Sequence, residues 1–226
     1  MTLDPQVLPT DEQIRAGHAA YSPGLLKWYD FLVLNVTNRW IWHCPTQGLL
    51  DLYDAHVTAN HLEVGVGTGF FLDRCRFPTP APRLVLADLN EHCLAAASHR
   101  VARYAPATIH HDIFQPLPAA LGKFDSIGLN YVLHCLPGDM ATKALVLDHL
   151  AAALNPGGVL FGSTLLVDGV QHSFLARRLM AHYNRVKIFD NLHDRRAHFD
   201  AALAARFRDV RIDTAGSVTR FVARAA

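Results

Sequence analysis

The chain has 226 residues, 50% hydrophobic and only 18% charged, which suits one folded α/β domain and excludes intrinsic disorder. With 21 basic residues against 20 acidic ones the formal charge is +1, so the basic bias that favours nucleic acid or an anionic membrane surface is missing. A small molecule is the expected partner.

No apolar run reaches the roughly 18 residues needed to span a bilayer. The opening MTLDPQVLPTDEQ lacks the basic start and apolar stretch of a secretory leader. Cys44, Cys75, Cys93 and Cys135 form no CxxC pair, which predicts reduced thiols and a cytoplasmic protein; a monomer or homodimer is expected. Fourteen histidines invite a metal reading, yet there is no HExxH. His110 and His111 are adjacent at a strand end, where neighbouring side chains point to opposite faces, so no metal site is expected.

In chain order, residues 1–59 read as a helical cap that holds Trp28, Trp40 and Trp42 together with Tyr21, Tyr29 and Tyr53. Residues 60–226 read as the core of the same single domain. Residues 61–64 form a strand, 69–75 a helix and 83–88 a second strand. Residues 91–104 are helical, with Asn90 as the N-cap. Residues 107–111 and 124–130 are the third and fourth strands. A helix over 141–154 is stopped by Asn155-Pro156-Gly157-Gly158, and a fifth strand follows over 159–166. Strands alternating with helices require parallel pairing and right-handed crossovers, hence a doubly wound sheet. Helices over 173–183 and 196–207 then precede strands 210–214 and 218–223. Only Ala215-Gly216-Ser217 separates these two strands, which predicts an antiparallel hairpin and seven strands in all.

The residues that carry chemistry begin with His61-Leu62-Glu63-Val64-Gly65-Val66-Gly67-Thr68-Gly69. A strand ends in an acidic residue and runs into alternating glycines that open a helix, where a backbone without Cβ can approach a ligand. A nicotinamide fingerprint would place its third glycine at Phe70, so that cofactor is excluded, and no Lys-Ser/Thr follows to make a phosphate loop. Asp88 ends the next apolar strand, where a carboxylate can accept from two vicinal ribose hydroxyls.

Glycines spaced GxGxG after an acid resemble the first motif of the class I S-adenosylmethionine-dependent methyltransferases. Asp88-Leu89, Asp112-Ile113, the strand exit Asn130-Tyr131-Val132-Leu133-His134 and the turn Asn155-Pro156-Gly157-Gly158 continue the likeness over residues 60–166. The resemblance implies a Rossmann-like, mostly parallel seven-stranded sheet closed by the C-terminal antiparallel hairpin. It implies S-adenosylmethionine as cofactor, held by Glu63, Gly65, Gly67, Gly69, Asp88, Leu89, Asp112, Ile113 and Asn130. Asp88 would take the ribose, Asp112 the adenine amino group and Ile113 the ring face. Tyr21 and Tyr29 would close over the cofactor from the cap. The implied activity is methyl transfer to oxygen or nitrogen of a small apolar or aromatic metabolite, as in secondary metabolism. Two alternatives are a non-methylating reaction in the same pocket, such as a cyclisation, and a non-catalytic partner subunit of the same fold. His134 is the candidate general base, set against a purely packed role.

Overall fold

The computed structural model describes residues 30–226, together with Pro9 and Thr10. Tyr21, Trp28 and Tyr29, expected in the cap, lie outside the described residues. Among those described, seven strands form one sheet in the order β3-β2-β1-β4-β5-β7-β6. They are β1 (Asn60–Val64), β2 (Arg83–Asp88), β3 (Ala107–His110), β4 (Phe124–Asn130), β5 (Leu154–Thr164), β6 (Arg208–Ala215) and β7 (Val218–Arg224). The first five pair in parallel, whereas β7 runs antiparallel to both β5 and β6. The strand order reverses between β1 and β4, so a crevice opens outside the carboxyl ends of those two strands.

Both faces of the sheet's inner strands are buried, and their sequences show it. Along β2, Leu84 and Leu86 point to one side and Val85 and Ala87 to the other, all 3% exposed or less. Leu84 and Leu86 pack with Tyr53 of α1 (Thr46–His56), Leu72 of α2 (Phe70–Arg74) and Leu94 and Ala97 of α3 (Glu91–Arg100). Val85 and Ala87 join Leu147 and Leu150 of α4 (Met140–Ala152) and Phe199 and Leu203 of α6 (Arg196–Ala204). A third cluster gathers Trp42, Leu49, Leu165, Met180 of α5 (Phe174–Arg185), Phe189 and Val218. Trp42 is therefore core, whereas Trp40 is 64% exposed.

Local signals explain most boundaries. Asn90 Oδ1 accepts from the amides of His92 and Cys93 and starts α3, and Ser173 Oγ caps α5 through Ala176 N. The 91–104 helix is shorter than expected. It gives way to a 3₁₀ turn at Ala102–Tyr104 that ends on Ala105 in the left-handed region, φ 46°. Asn155-Pro156-Gly157-Gly158 ends no helix directly, because α4 has already stopped at Ala152. Those residues belong to β5, where the pairing with β4 shifts register between Phe124 and Ser126 and absorbs the proline. Gly216 at the hairpin tip has φ 57°, and an added Cβ would lie 2.1 Å from Trp42 O. With the 2.7 Å bond from Ser217 N to the same carbonyl, the tip is fastened to the N-terminal side of the fold. Helix α1 falls within the stretch read as cap, yet Tyr53 and Leu49 are fully buried against the sheet side of the molecule.

Candidate functional site

The crevice at the switch point is lined along one wall by the loop between β1 and α2, and Gly65, Gly67 and Gly69 all adopt left-handed φ, at 71°, 51° and 74°. The three glycines are kept for different reasons. An added Cβ at Gly65 would lie 2.3 Å from Val132 Cγ2, and one at Gly69 would lie 3.0 Å from Ala97 Cα. At Gly67 a Cβ would meet nothing within 4 Å. There the backbone borders open space, the cradle that a close-approaching ligand requires.

Asp88, at the end of β2, is bound to that loop. Its Oδ2 accepts from Val66 N at 2.9 Å and its Oδ1 from Asn90 N at 2.8 Å. Two backbone amides thus fix the plane of the carboxylate at the cleft wall before any ligand arrives. Asn90, not Asp88, caps α3.

On the next wall Asp112 Oδ1 accepts from Phe114 N at 2.9 Å, a turn that presents Ile113 beside it. Ile113 is 8% exposed and contributes both to the cleft and to the core. Leu89 and Asn130 also line the cleft, and Ser163 Oγ donates to Asn130 Oδ1. Glu63, Gly65, Gly67, Gly69, Asp88, Leu89, Asp112, Ile113 and Asn130 are thus brought to one cavity. His110 and His111 each place Nε2 near a backbone carbonyl, Leu89 O at 2.9 Å and Gln115 O at 3.1 Å. Among the described residues no group of three or more His, Cys, Asp or Glu side chains gathers as a metal centre would require.

Of the two roles weighed for His134, general base and packed side chain, its surroundings favour the packed one. It lies in a 3₁₀ turn over Leu133–Cys135, is 3% exposed, and is not part of the cleft lining. Its ring meets Phe189 edge-on with centroids 4.4 Å apart, and Thr164 Oγ1 is 3.5 Å from Nδ1. Burial first, and the nearby Lys143 cation second, push its pKa down to about 3. A general base must reach the proton it removes, and this imidazole packs among Phe189, Thr164 and the cleft-lining Tyr131, whose ring it meets edge-on at 5.8 Å.

Two tyrosines outside the expected cofactor-binding set also line the cleft. Tyr53 lies in the cleft floor, fully buried, and its hydroxyl donates to Glu63 Oε1. Burial, then the Glu63 carboxylate, push that phenol well above its ordinary pKa, so it remains a donor. No local pattern in the helix around Tyr53 announces a contact with the strand that follows. Tyr131 directly follows β4 with φ 59°, a conformation uncommon for any residue but glycine and often found at functional sites. Its position after Asn130 was the only available signal. From it the cleft continues through Val132, Cys135, Leu136 and Pro137, an apolar wall.

Residues 62–160 match a family described as "Methyltransferase domain". The chain is 38% identical over 208 residues to demethylluteothin O-methyltransferase of Streptomyces thioluteus, covering 92% of this chain and 90% of that protein. It is 38% identical over 224 residues to the physcion biosynthesis cluster O-methyltransferase of Aspergillus chevalieri, covering 97% of each. The crystal structure of the N-methyltransferase NodS from Bradyrhizobium japonicum WM9, in complex with S-adenosyl-L-homocysteine, is similar in fold. Its TM-score is 0.57 at 17% identity, over 95% of this chain and 96% of that one.

Proposed function

The chain belongs to the class I S-adenosylmethionine-dependent methyltransferases, and from that premise we propose that it methylates oxygen or nitrogen of a small apolar or aromatic metabolite. The observation that carries the acceptor class is the wall beyond Asn130. Tyr131, Val132, Leu136 and Pro137 present aromatic and aliphatic surface there, which suits an uncharged ring more than a charged polar acceptor. Two relatives named O-methyltransferases favour oxygen.

The residues fit the cofactor. Gly67 borders the open space that an amino-acid chain and ribose would fill, and the Asp88 carboxylate is fixed beside it as ribose acceptor. Asp112 would accept from the adenine amino group, with Ile113 against the ring. When bound, S-adenosylmethionine supplies an electrophilic methyl group on a sulfonium. The protein's part is to hold the acceptor in line and exclude water, since positioning alone can supply several kcal/mol of the barrier reduction.

Among the described residues, the wall from Tyr131 to Pro137 offers no carboxylate or exposed imidazole as base. Burial pushes the Cys135 thiol up to about 12, against the pull of Lys143. The acceptor then brings its own nucleophile, either a neutral amine or a phenol or enol acidic enough to ionise in solution. The test is a panel of phenols of graded acidity incubated with methyl-labelled S-adenosylmethionine. Rates that follow acceptor ionisation support the reading, and label transferred only to polar aliphatic alcohols refutes it.

We propose a cytoplasmic monomer or homodimer. All four cysteines are free thiols, and no helix among the described residues is long and apolar enough to cross a membrane.

A further inference from the structure

Below the glycine loop five side chains stand in file, and hydrogen-bond bookkeeping gives the file a direction. The Thr58 hydroxyl donates to Asn60 O at 3.0 Å, so in its 2.9 Å contact with Ser126 Oγ the serine is the donor. Ser126 Oγ also accepts from Thr58 N at 3.0 Å, which leaves it to accept from His61 Nδ1 at 2.8 Å. His61 Nε2 then meets Glu63 Oε2 at 3.0 Å. The contact gives a partner to side chains 0% and 6% exposed, where a lone carboxylate would be costly to bury. Room for it depends on Gly128 of β4, since an added Cβ there would lie 2.1 Å from Oε2.

The other oxygen, Oε1, accepts from the Tyr53 hydroxyl at the cleft floor. Tyr53 is itself immobilised. Its ring stacks on Phe71 at 5.1 Å and meets the edge of Phe161 at 5.1 Å. Each carboxylate oxygen keeps a second lone pair, and Glu63 lines the cavity beside Gly65. We propose that Tyr53 is a positioning residue that aims the Glu63 carboxylate at the α-ammonium of the bound cofactor, with His61 as the partner behind it. The inference rests on the cofactor reading above and assigns a specific task to a side chain from the N-terminal side of the fold.

Calorimetric titration with two ligands tests it. S-adenosylhomocysteine carries the ammonium, whereas 5′-methylthioadenosine shares the nucleoside and lacks the amino-acid end. Tyr53→Phe keeps the stacked ring and removes one bond to a charged group. It is expected to weaken S-adenosylhomocysteine about tenfold and 5′-methylthioadenosine less than about twofold. Glu63→Gln must show the same selectivity, an independent check should Tyr53→Phe fail to fold. In the double variant Tyr53→Phe should add little to Glu63→Gln, because the two act through one contact. Equal losses for both ligands, no loss, or additive losses would overturn the proposal while leaving the methyltransferase reading standing. A wild-type protein that binds neither ligand would overturn the cofactor reading and this inference together.

Discussion

The Tyr131 hydroxyl donates to Asn38 Oδ1 at 3.0 Å, joining residues 93 positions apart in the chain. Asn38 belongs to a π-helical segment, Asp30–Ile41, and is fully buried, and its Nδ2 lies 3.4 Å from Thr46 Oγ1. The bond therefore ties a cleft-lining residue in a left-handed conformation to the segment that leads into α1.

Tyr131→Phe should consequently destabilise the protein by about 1–3 kcal/mol, because it leaves a buried amide oxygen without its donor. Urea unfolding followed by far-ultraviolet circular dichroism would measure this. Cofactor affinity should change little, since the ring that lines the cleft is retained.

Asp88→Ala is expected to weaken S-adenosylhomocysteine binding about 100-fold, from the loss of two charge-assisted bonds to the ribose. The bonds to Val66 N and Asn90 N add a second consequence. The variant should also lose about 1–3 kcal/mol of stability, because these two amides lose their acceptor. Calorimetry and thermal melts on the same preparation separate the effects. Unchanged affinity with reduced stability would confine Asp88 to fastening the loop.

Lys143 and Asp194 form an ion pair at 2.7 Å with both side chains fully buried, and Asp194 Oδ1 has no partner. Burial pushes the Asp194 carboxyl up to about 6, against the pull of Lys143. Between about pH 4 and pH 6 the folded protein then holds a proton that the unfolded chain releases. This group's contribution to stability therefore falls as pH rises through that window and levels off above it. Lys143→Met alone should cost about 3–5 kcal/mol, since it strands a buried carboxylate. Adding Asp194→Leu should recover most of that loss. Relative to wild type the double variant should gain stability between pH 4 and pH 6, as denaturant titrations at several pH values would show.

The parallel core was legible because its signals are local. β2 and β4 have the bounds that their apolar runs predict, and Asn90 caps its helix through its own next residues. Gly65, Gly67 and Gly69 could be read because φ values near 50–75° suit glycine above other residues. What was not legible depends on distant parts of the chain. Tyr53 meets Glu63 only after α1 docks beside β1, and nothing in TQGLLDLYDAH distinguishes that tyrosine from a packed aromatic. Likewise the strand exit placed His134 near the cleft in sequence. The Leu133–Cys135 turn then sends its ring towards Phe189, which lies well downstream in the chain.

That orientation makes His134 the sharpest test of mechanism. An imidazole with its pKa pushed down to about 3 is neutral throughout the working range, and this one lies outside the cleft lining. His134→Gln should therefore keep turnover within a few-fold of wild type and leave the pH–rate profile unchanged, with any limb set by ionisation of the acceptor. The cost should appear in stability, about 1–2 kcal/mol from the lost edge-to-face contact with Phe189 and imperfect filling of a sealed site. It should also depend on pH. As pH falls from about 6.5 towards 3 the unfolded chain protonates this histidine while the folded protein resists, so wild type loses stability through that interval. The glutamine variant has no such group, and its deficit relative to wild type should shrink in acid. Steady-state kinetics from pH 6 to 9 and unfolding curves from pH 4 to 7 provide both readouts. A fall in turnover of about 100-fold or more, with loss of the acidic limb, would return His134 to the role of general base.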